Sequence, residues 1–345
     1  MADTTRVMLY ELALGELSAL SIDMVSSREE VLAAMQGLDE SALRRYFSTL
    51  GGEGLRAQLL VAGNMDKAAA RALAGGVAGR VAQLAGGLLP AEASQRPRVL
   101  EASRPLELRM KSPIRGDVNH VTIAAYQYGP VDVAERVRML LLGEMIKDPV
   151  YDGLRTRDQL GYVVQGYVAE LVNVLQLQIL VQGAKETPDV VEADIESVLD
   201  SFQTRLKSMK PDKFGLWKAS LRSALNLRDQ NMGQETDRYW SQIVNDGQCF
   251  NRRELASRYL ETLDSVDPII ETFESLRRND RRITVKMFGG AADPHAASTL
   301  GARGRAAAAG VAETGALLLK AVGVAEKESM ARGMKFYPTD HLCRL

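Results

Sequence analysis

The sequence predicts an α+β fold of antiparallel sheets backed by helices. Strand-like and helix-like patterns follow one another without regular β-α alternation, which argues against a doubly wound parallel sheet. From Val172 to Gln182, Leu175, Leu177, Ile179 and Val181 face one side while Gln176, Gln178 and Gln182 face the other. Such a period of two marks an antiparallel strand with one wet or helix-covered face. Thr187-Pro188 then opens a helix whose apolar residues Val191, Ile195, Val198, Leu199, Phe202 and Leu206 step by threes and fours, a stripe able to back a sheet.

The remaining elements follow in order. Ser27-Arg28-Glu29-Glu30 has the capping-box pattern and opens a helix through Val31, Leu32 and Met35 that stops at Gly37. A second helix runs from Asp39 through Leu43, Tyr46 and Phe47. Leu55 to Ala62 reads as a strand, and Gly63-Asn64 turns the chain into an alanine-rich helix from Asp66 to Leu84. Residues 85 to 105 combine glycines, three prolines and little periodicity, which sets a boundary between a domain at 1–104 and one at 105–345. Beyond it Leu106 to Met110 and His120 to Tyr128 are strands. Pro130 starts a helix striped by Val133, Val137, Leu140 and Leu141 and leading to Asp148-Pro149. A long helical region from Pro211 to Val244 and a helix at Pro268 to Leu276 precede a last strand, Ile283 to Phe288. Residues 289–316 are rich in alanine and glycine, cannot offset their ordering entropy by burial, and read as a disordered insertion. Leu317 to Val324 recovers a helical pattern, and Phe336 and Tyr337 close the chain.

Composition excludes several functions. Forty-three basic residues nearly cancel 44 acidic ones, so no general basic surface exists for nucleic acid; Arg277, Arg278, Arg281 and Arg282 read as a solvated turn. Cys249 and Cys343 are far apart and lack metal spacing, which argues for a reducing compartment, a cytoplasmic one, and against a disulfide scaffold. No apolar run reaches the roughly 18 residues of a membrane helix, and the N-terminus is not a secretory signal. The final Cys343-Arg344-Leu345 fits either a peroxisome-type import tripeptide or a chance ending. His120, His295 and His341 form no metal pair, and neither H-E-x-x-H nor H-x-x-E-H occurs; His120 reads as a packed or edge histidine. Serine-hydrolase, P-loop and dinucleotide motifs are missing as well.

One stretch carries candidate chemistry: DGLRTRDQLGYVV, residues 152 to 164. Asp158 to Leu160 can close a helical turn, Gly161 can take the left-handed conformation that ends it, and Tyr162 then opens a strand with Val163 and Val164. Arg155 and Tyr162 therefore flank one compact corner. They are either paired hydrogen-bond donors for a peptide carbonyl and the oxyanion formed on it, or a surface arginine and a half-buried tyrosine supporting a turn.

LRTRDQLGYVV closely resembles the C-terminal-half signature of the insulysin/pitrilysin family of zinc metalloendopeptidases. AGNMDKAAA, NHVTIAAYQYG, DRYWSQI at 237 to 243 and FYP near the end are similar to that family in the same order. The resemblance implies four homologous α+β domains in a complete enzyme. Zinc then sits on an H-x-x-E-H motif in the first, and an arginine and a tyrosine reach across from the last. It assigns substrate binding and oxyanion stabilisation to Arg155 and Tyr162, with Gln159 and Gly161 as positioning residues. It also implies one partial pitrilysin-type domain at 1–104, a complete fourth one at 105–345, and a partner N-terminal half, fused or separate, that binds the zinc. Peptides are the expected substrates, and this chain alone is expected to hold no metal and to be inactive. The alternative is a catalytically inert scaffold or peptide-binding subunit of the same type.

Overall fold

Alternating apolar residues build a central sheet. The computed structural model describes residues 7–23, 25–49, 58–84, 97–244, 249–290 and 292–294, with the backbone of 317–319 and 335–336. Its strands are β1 (Arg98–Val99), β2 (Leu106–Lys111), β3 (His120–Pro130), β4 (Val163–Leu171), β5 (Val174–Gly183), β6 (Arg282–Phe288), β7 (Leu317–Leu319) and β8 (Lys335–Phe336). The sheet runs β4-β5-β3-β6-β2-β7, and β1 pairs with β8 in a separate ribbon. Pairings from β4 to β6 are antiparallel, whereas β2 lies parallel to both β6 and β7. Between β4 and β5, Val172 and Asn173 both take positive φ, the two-residue hairpin geometry that matches strand twist.

Helices cover both faces. The first part of the chain forms α1 (Leu9–Ser21), α2 (Arg28–Gln36), α3 (Glu40–Thr49) and α4 (Lys67–Leu84). Later come α5 (Val133–Val150), a π-helix (Tyr151–Arg157), α6 (Pro188–Lys207), α7 (Pro211–Leu225), α8 (Met232–Val244), α9 (Arg252–Glu261) and α10 (Asp267–Asn279). Leu175, Leu177, Ile179 and Val181 pack with α5, α6, α7, α9 and α10 on one face. On the other, Leu180, Ile123, Val285 and Leu108 meet Leu9, Ala13, Leu17 and Leu20 of α1. Burying each such leucine contributes about 2 kcal/mol. The face carrying Gln176, Gln178 and Gln182 is therefore helix-covered rather than wet, and these glutamines are buried. Gln127 does similar work on β3: its amide accepts from Leu100 N–H and donates to the Arg98 carbonyl, pinning the segment that leads into the sheet.

The capping box at Ser27 and Glu30 forms as read, with Gly37 closing α2, and Asp39 and Asp66 cap the next two helices. Other readings change. Residues 58–62 form no strand, since no neighbouring strand among the described residues offers them ladder partners; 51–57 lie outside these. Helix α1 was not anticipated, although its buried residues 9, 13, 17 and 20 are helically spaced. Pro149 does not end the helix from Val133, which continues past it as a π-helix. The region from Pro211 splits at Asn226 into α7 and α8, and α9 follows unforeseen. Leu317 begins a strand, not a helix, because the edge of β2 offers it backbone partners. Cys249 is buried and disulfide-bonded, a bond the cysteine reading did not foresee. Residues 295–316 of the expected insertion and the tripeptide Cys343-Arg344-Leu345 lie outside the described residues.

Within the arginine cluster of 277–282, expected as a solvated turn, Arg278 is exposed but Arg277 and Arg282 are not free in solvent. The other side chains of β2 and β6 form a buried charge layer under α6. Lys286 Nζ lies 2.7 Å from Asp189, 2.6 Å from Glu192 and 3.1 Å from Glu107. Arg109 donates to Asp189 at 2.8 Å and to Glu107 at 2.8 Å, and Arg282 to Glu196 at 2.6 Å, with Arg277 on the other oxygen of Glu196. Acids from α6 thus draw Arg277 and Arg282 inward. Burial opposes ionisation of Asp189, but the Arg109 hydrogen bond and the Lys286 charge outweigh it and hold the carboxyl at about 2, down from 3.8. Because folding depresses this pKa, its contribution is complete above about pH 4 and lost as pH falls towards 2, roughly 1–2 kcal/mol after solvent screening. Asp189→Asn should abolish that acid limb and destabilise the chain by about 3 kcal/mol at neutral pH, since Arg109 and Lys286 lose a buried partner. Urea unfolding at pH 7 and circular dichroism from pH 5 to 2 test this; an unchanged acid limb would refute it.

Candidate functional site

Pro149 lacks the N–H that an α-helix needs there, and from Tyr151 the chain adopts the wider π geometry. Asp158 N–H bonds the Gly153 carbonyl at 3.1 Å, and Leu160 N–H bonds the Leu154 carbonyl at 2.9 Å. Leu154 and Leu160, both buried, anchor the two ends of this widened turn in the core. Arg155 projects from its middle, and its Nη1 donates to the carbonyl of Gly161. Neighbouring Arg157 is spent on Asp158, at 2.7 and 3.0 Å.

The turn closes differently from its sequence reading. Helical geometry ends at Arg157, and the left-handed residue is Gln159 (φ 53°), not Gly161. Gln159 carries this uncommon non-glycine conformation with its side chain exposed. Gly161 is demanded by proximity: a Cβ on it would lie 2.3 Å from the carbonyl oxygen of Gln182. Gly183 repeats the constraint from the other side, its Cβ position being 2.3 Å from the carbonyl oxygen of Leu160. The corner and the end of β5 are thus pressed backbone to backbone, joined by Tyr162 N–H donating to the Gln182 carbonyl at 3.0 Å. Lys185 adds a bond to the Asp158 carbonyl at 3.1 Å.

Tyr162 sits just before β4 and is 48% exposed. Its hydroxyl accepts from Nε2 of Gln182, a side chain only 1% exposed. Oε1 of the same amide accepts from Tyr10 N–H in the first turn of α1, at 2.8 Å. The structure therefore brings Arg155, Gly161 and Tyr162 to one corner, with the arginine bonded to the carbonyl next to the tyrosine, and leaves Gln159 exposed on its rim. Sequence reasoning missed Gln182 and Gly183. The glutamine was visible as part of an alternation, but the register that sets it opposite the corner was not.

Chemically, the corner offers a phenol with its proton available and a guanidinium with further N–H groups, a set suited to a carbonyl oxygen rather than to a cation. Among the described residues no group of three or more His, Cys, Asp or Glu is placed to hold a metal, so these residues do not fit zinc. His120 Nδ1 accepts from Gly289 N–H at 3.1 Å, and its ring packs edge-on to Phe288, a packed histidine as expected. Burial lowers its pKa against the opposing charge of Asp117.

Residues 141–240 match the family described as PQQ synthase PqqF-like, C-terminal lobe domain 4. Nardilysin from Homo sapiens is 29% identical over 146 residues, 42% of this chain and 13% of that protein. Insulin-degrading enzyme-like 1, peroxisomal, from Arabidopsis thaliana is 22% identical over 179 residues, 50% of this chain and 18% of that protein. The crystal structure of pitrilysin superposes with a TM-score of 0.73 at 16% identity, covering 96% of this chain and 33% of that one. The chain thus matches under a fifth of the length of these curated relatives and a third of the solved one.

Gly161→Ala and Gly183→Ala should each destabilise the chain by about 2–3 kcal/mol, because the added carbon meets a backbone oxygen that cannot rotate away. Gly75→Ala, with nothing within 4 Å, is the control. Urea midpoints for the three variants test the corner, and equal midpoints would contradict it.

Proposed function

Given that the chain belongs, as a C-terminal half, to the insulysin/pitrilysin family of peptidases, we propose that it supplies substrate-binding and oxyanion-stabilising donors to a peptidase site completed by an N-terminal half. Arg155 and Tyr162 are the donors, and Gln159 and Gly161 position them. The observation that supports this reading is the corner itself: a half-exposed phenol beside a guanidinium, both built on backbone held by core leucines and paired glycines. Zinc belongs to the N-terminal half in this reading, as the family likeness implies. That half, fused or separate, is the partner, and peptides are the substrates. The division into a partial domain at 1–104 and a complete one at 105–345 belongs to the same proposal. So does a cytoplasmic or peroxisome-type location, the latter in keeping with the name of the Arabidopsis relative. No helix among the described residues is long and apolar enough to cross a membrane.

In the complete enzyme, the work of this chain is to bind and orient. A peptide carbonyl lying against the corner receives the Tyr162 proton and an N–H of Arg155. Both bonds strengthen as negative charge builds on that oxygen, so they favour the transition state over the ground state. The second reading is an inert scaffold or peptide-binding subunit, and the Arg155 bond to the Gly161 carbonyl favours it by giving the arginine an internal task.

Mixing the chain with a separately expressed N-terminal half of an insulysin-type peptidase separates the two. The catalytic reading expects chelator-sensitive peptide cleavage whose kcat falls about 10²- to 10³-fold in Tyr162→Phe and in Arg155→Ala. A reconstituted complex that binds peptide and never cleaves it would establish the scaffold instead.

A further inference from the structure

The direction in which Tyr162 donates is set by a residue outside that reading. Tyr10 is the second residue of α1, where the backbone N–H has no partner within the helix. It is satisfied by Gln182 Oε1 at 2.8 Å, across 172 positions of sequence. An N–H can be given only to an oxygen, so the buried amide has one permitted orientation and must turn its Nε2 towards Tyr162. The phenol oxygen then serves as acceptor to Gln182, and its own proton is left for a group outside the fold. Were the amide reversed, Oε1 would take that proton, and Tyr162 would present only lone pairs to a carbonyl. The Gln182 carbonyl also holds Tyr162 N–H at 3.0 Å, so one residue fixes both the position and the hydrogen-bond polarity of the tyrosine.

From this geometry we infer that Gln182 is a positioning residue. Its α1-oriented amide makes Tyr162 a dedicated proton donor towards a substrate carbonyl oxygen. This rests on the proposed role of Tyr162 and deepens it: the first turn of α1, in the opposite part of the chain, takes part in setting up the corner.

Gln182→Glu is the informative change in the reconstituted complex. A carboxylate still satisfies Tyr10 N–H and suits a helix N-terminus, yet it accepts the Tyr162 proton that the amide leaves free. The expected result is a fall in kcat of about 10²-fold with KM changed far less, and almost no further fall when the same change is made in the Tyr162→Phe background. Tyr10→Pro supplies a second route should the glutamate variant fold poorly. Proline is tolerated in the first helical turn, removes the orienting N–H, and should lower kcat at least about twofold by letting the amide populate both orientations, again only when Tyr162 is present. If Tyr162→Phe is silent, the catalytic reading itself fails. If Tyr162→Phe is impaired while Gln182→Glu and Tyr10→Pro match the parent, or if they act equally in both backgrounds, the inference about Gln182 is overturned.

Discussion

The structure around the corner depends on one steric constraint: at residues 161 and 183 two backbone segments approach more closely than any side chain permits. That approach brings the Gln182 carbonyl within reach of Tyr162 N–H, beside the Gly161 carbonyl that accepts from Arg155 within the turn. A methyl group at either position would push the corner off β5 and separate every polar group assembled there. Conformational freedom is not what these glycines contribute, since the positive φ of the turn falls on Gln159.

Rigidity for this arrangement comes from the two unlike faces of the sheet. Towards α1 the strands present leucine, isoleucine, valine and methionine, and the helix docks by hydrophobic burial. Under α6, β2 and β6 present Glu107, Arg109, Arg282, Thr284 and Lys286 instead, and the helix docks through directional ion pairs. A buried charge layer tolerates little sliding, because displacement leaves a charge without its partner. Hydrophobic burial supplies cohesion without register, and the ion pairs supply register. The sheet that carries Gln182 is held by both.

The family match covers the segment where this geometry lies. Residues 141–240 span most of α5, the π-helix, the corner, β4 and β5, and continue through α6 and α7 into α8. The solved pitrilysin chain shares the fold across nearly the whole sequence at only 16% identity. Packing of this kind accepts many apolar substitutions of similar volume, whereas the backbone contact at the corner does not.

Much of the fold was legible because it follows local rules. The capping box at Ser27, proline at the start of α6, and the period of two through β5 each state their structure within a few residues. Local signals misled where neighbours decide the outcome. Leu55 to Ala62 looks like a strand but residues 58–62 find no ladder partner, Leu317 looks helical but meets an open strand edge, and the arginines near 280 look solvated until the α6 acids reach them. In the candidate site the sequence alone determined the residue types at the corner, Arg155, Gln159, Gly161 and Tyr162, from their spacing and family likeness. Only the tertiary structure decided which of them bends the chain, which must lack a side chain, and that Gln182, itself held by Tyr10 N–H, bonds to the tyrosine. The physical reason is that hydrogen-bond direction and van der Waals contact are set by atoms far apart in sequence, and no local pattern records where those atoms meet.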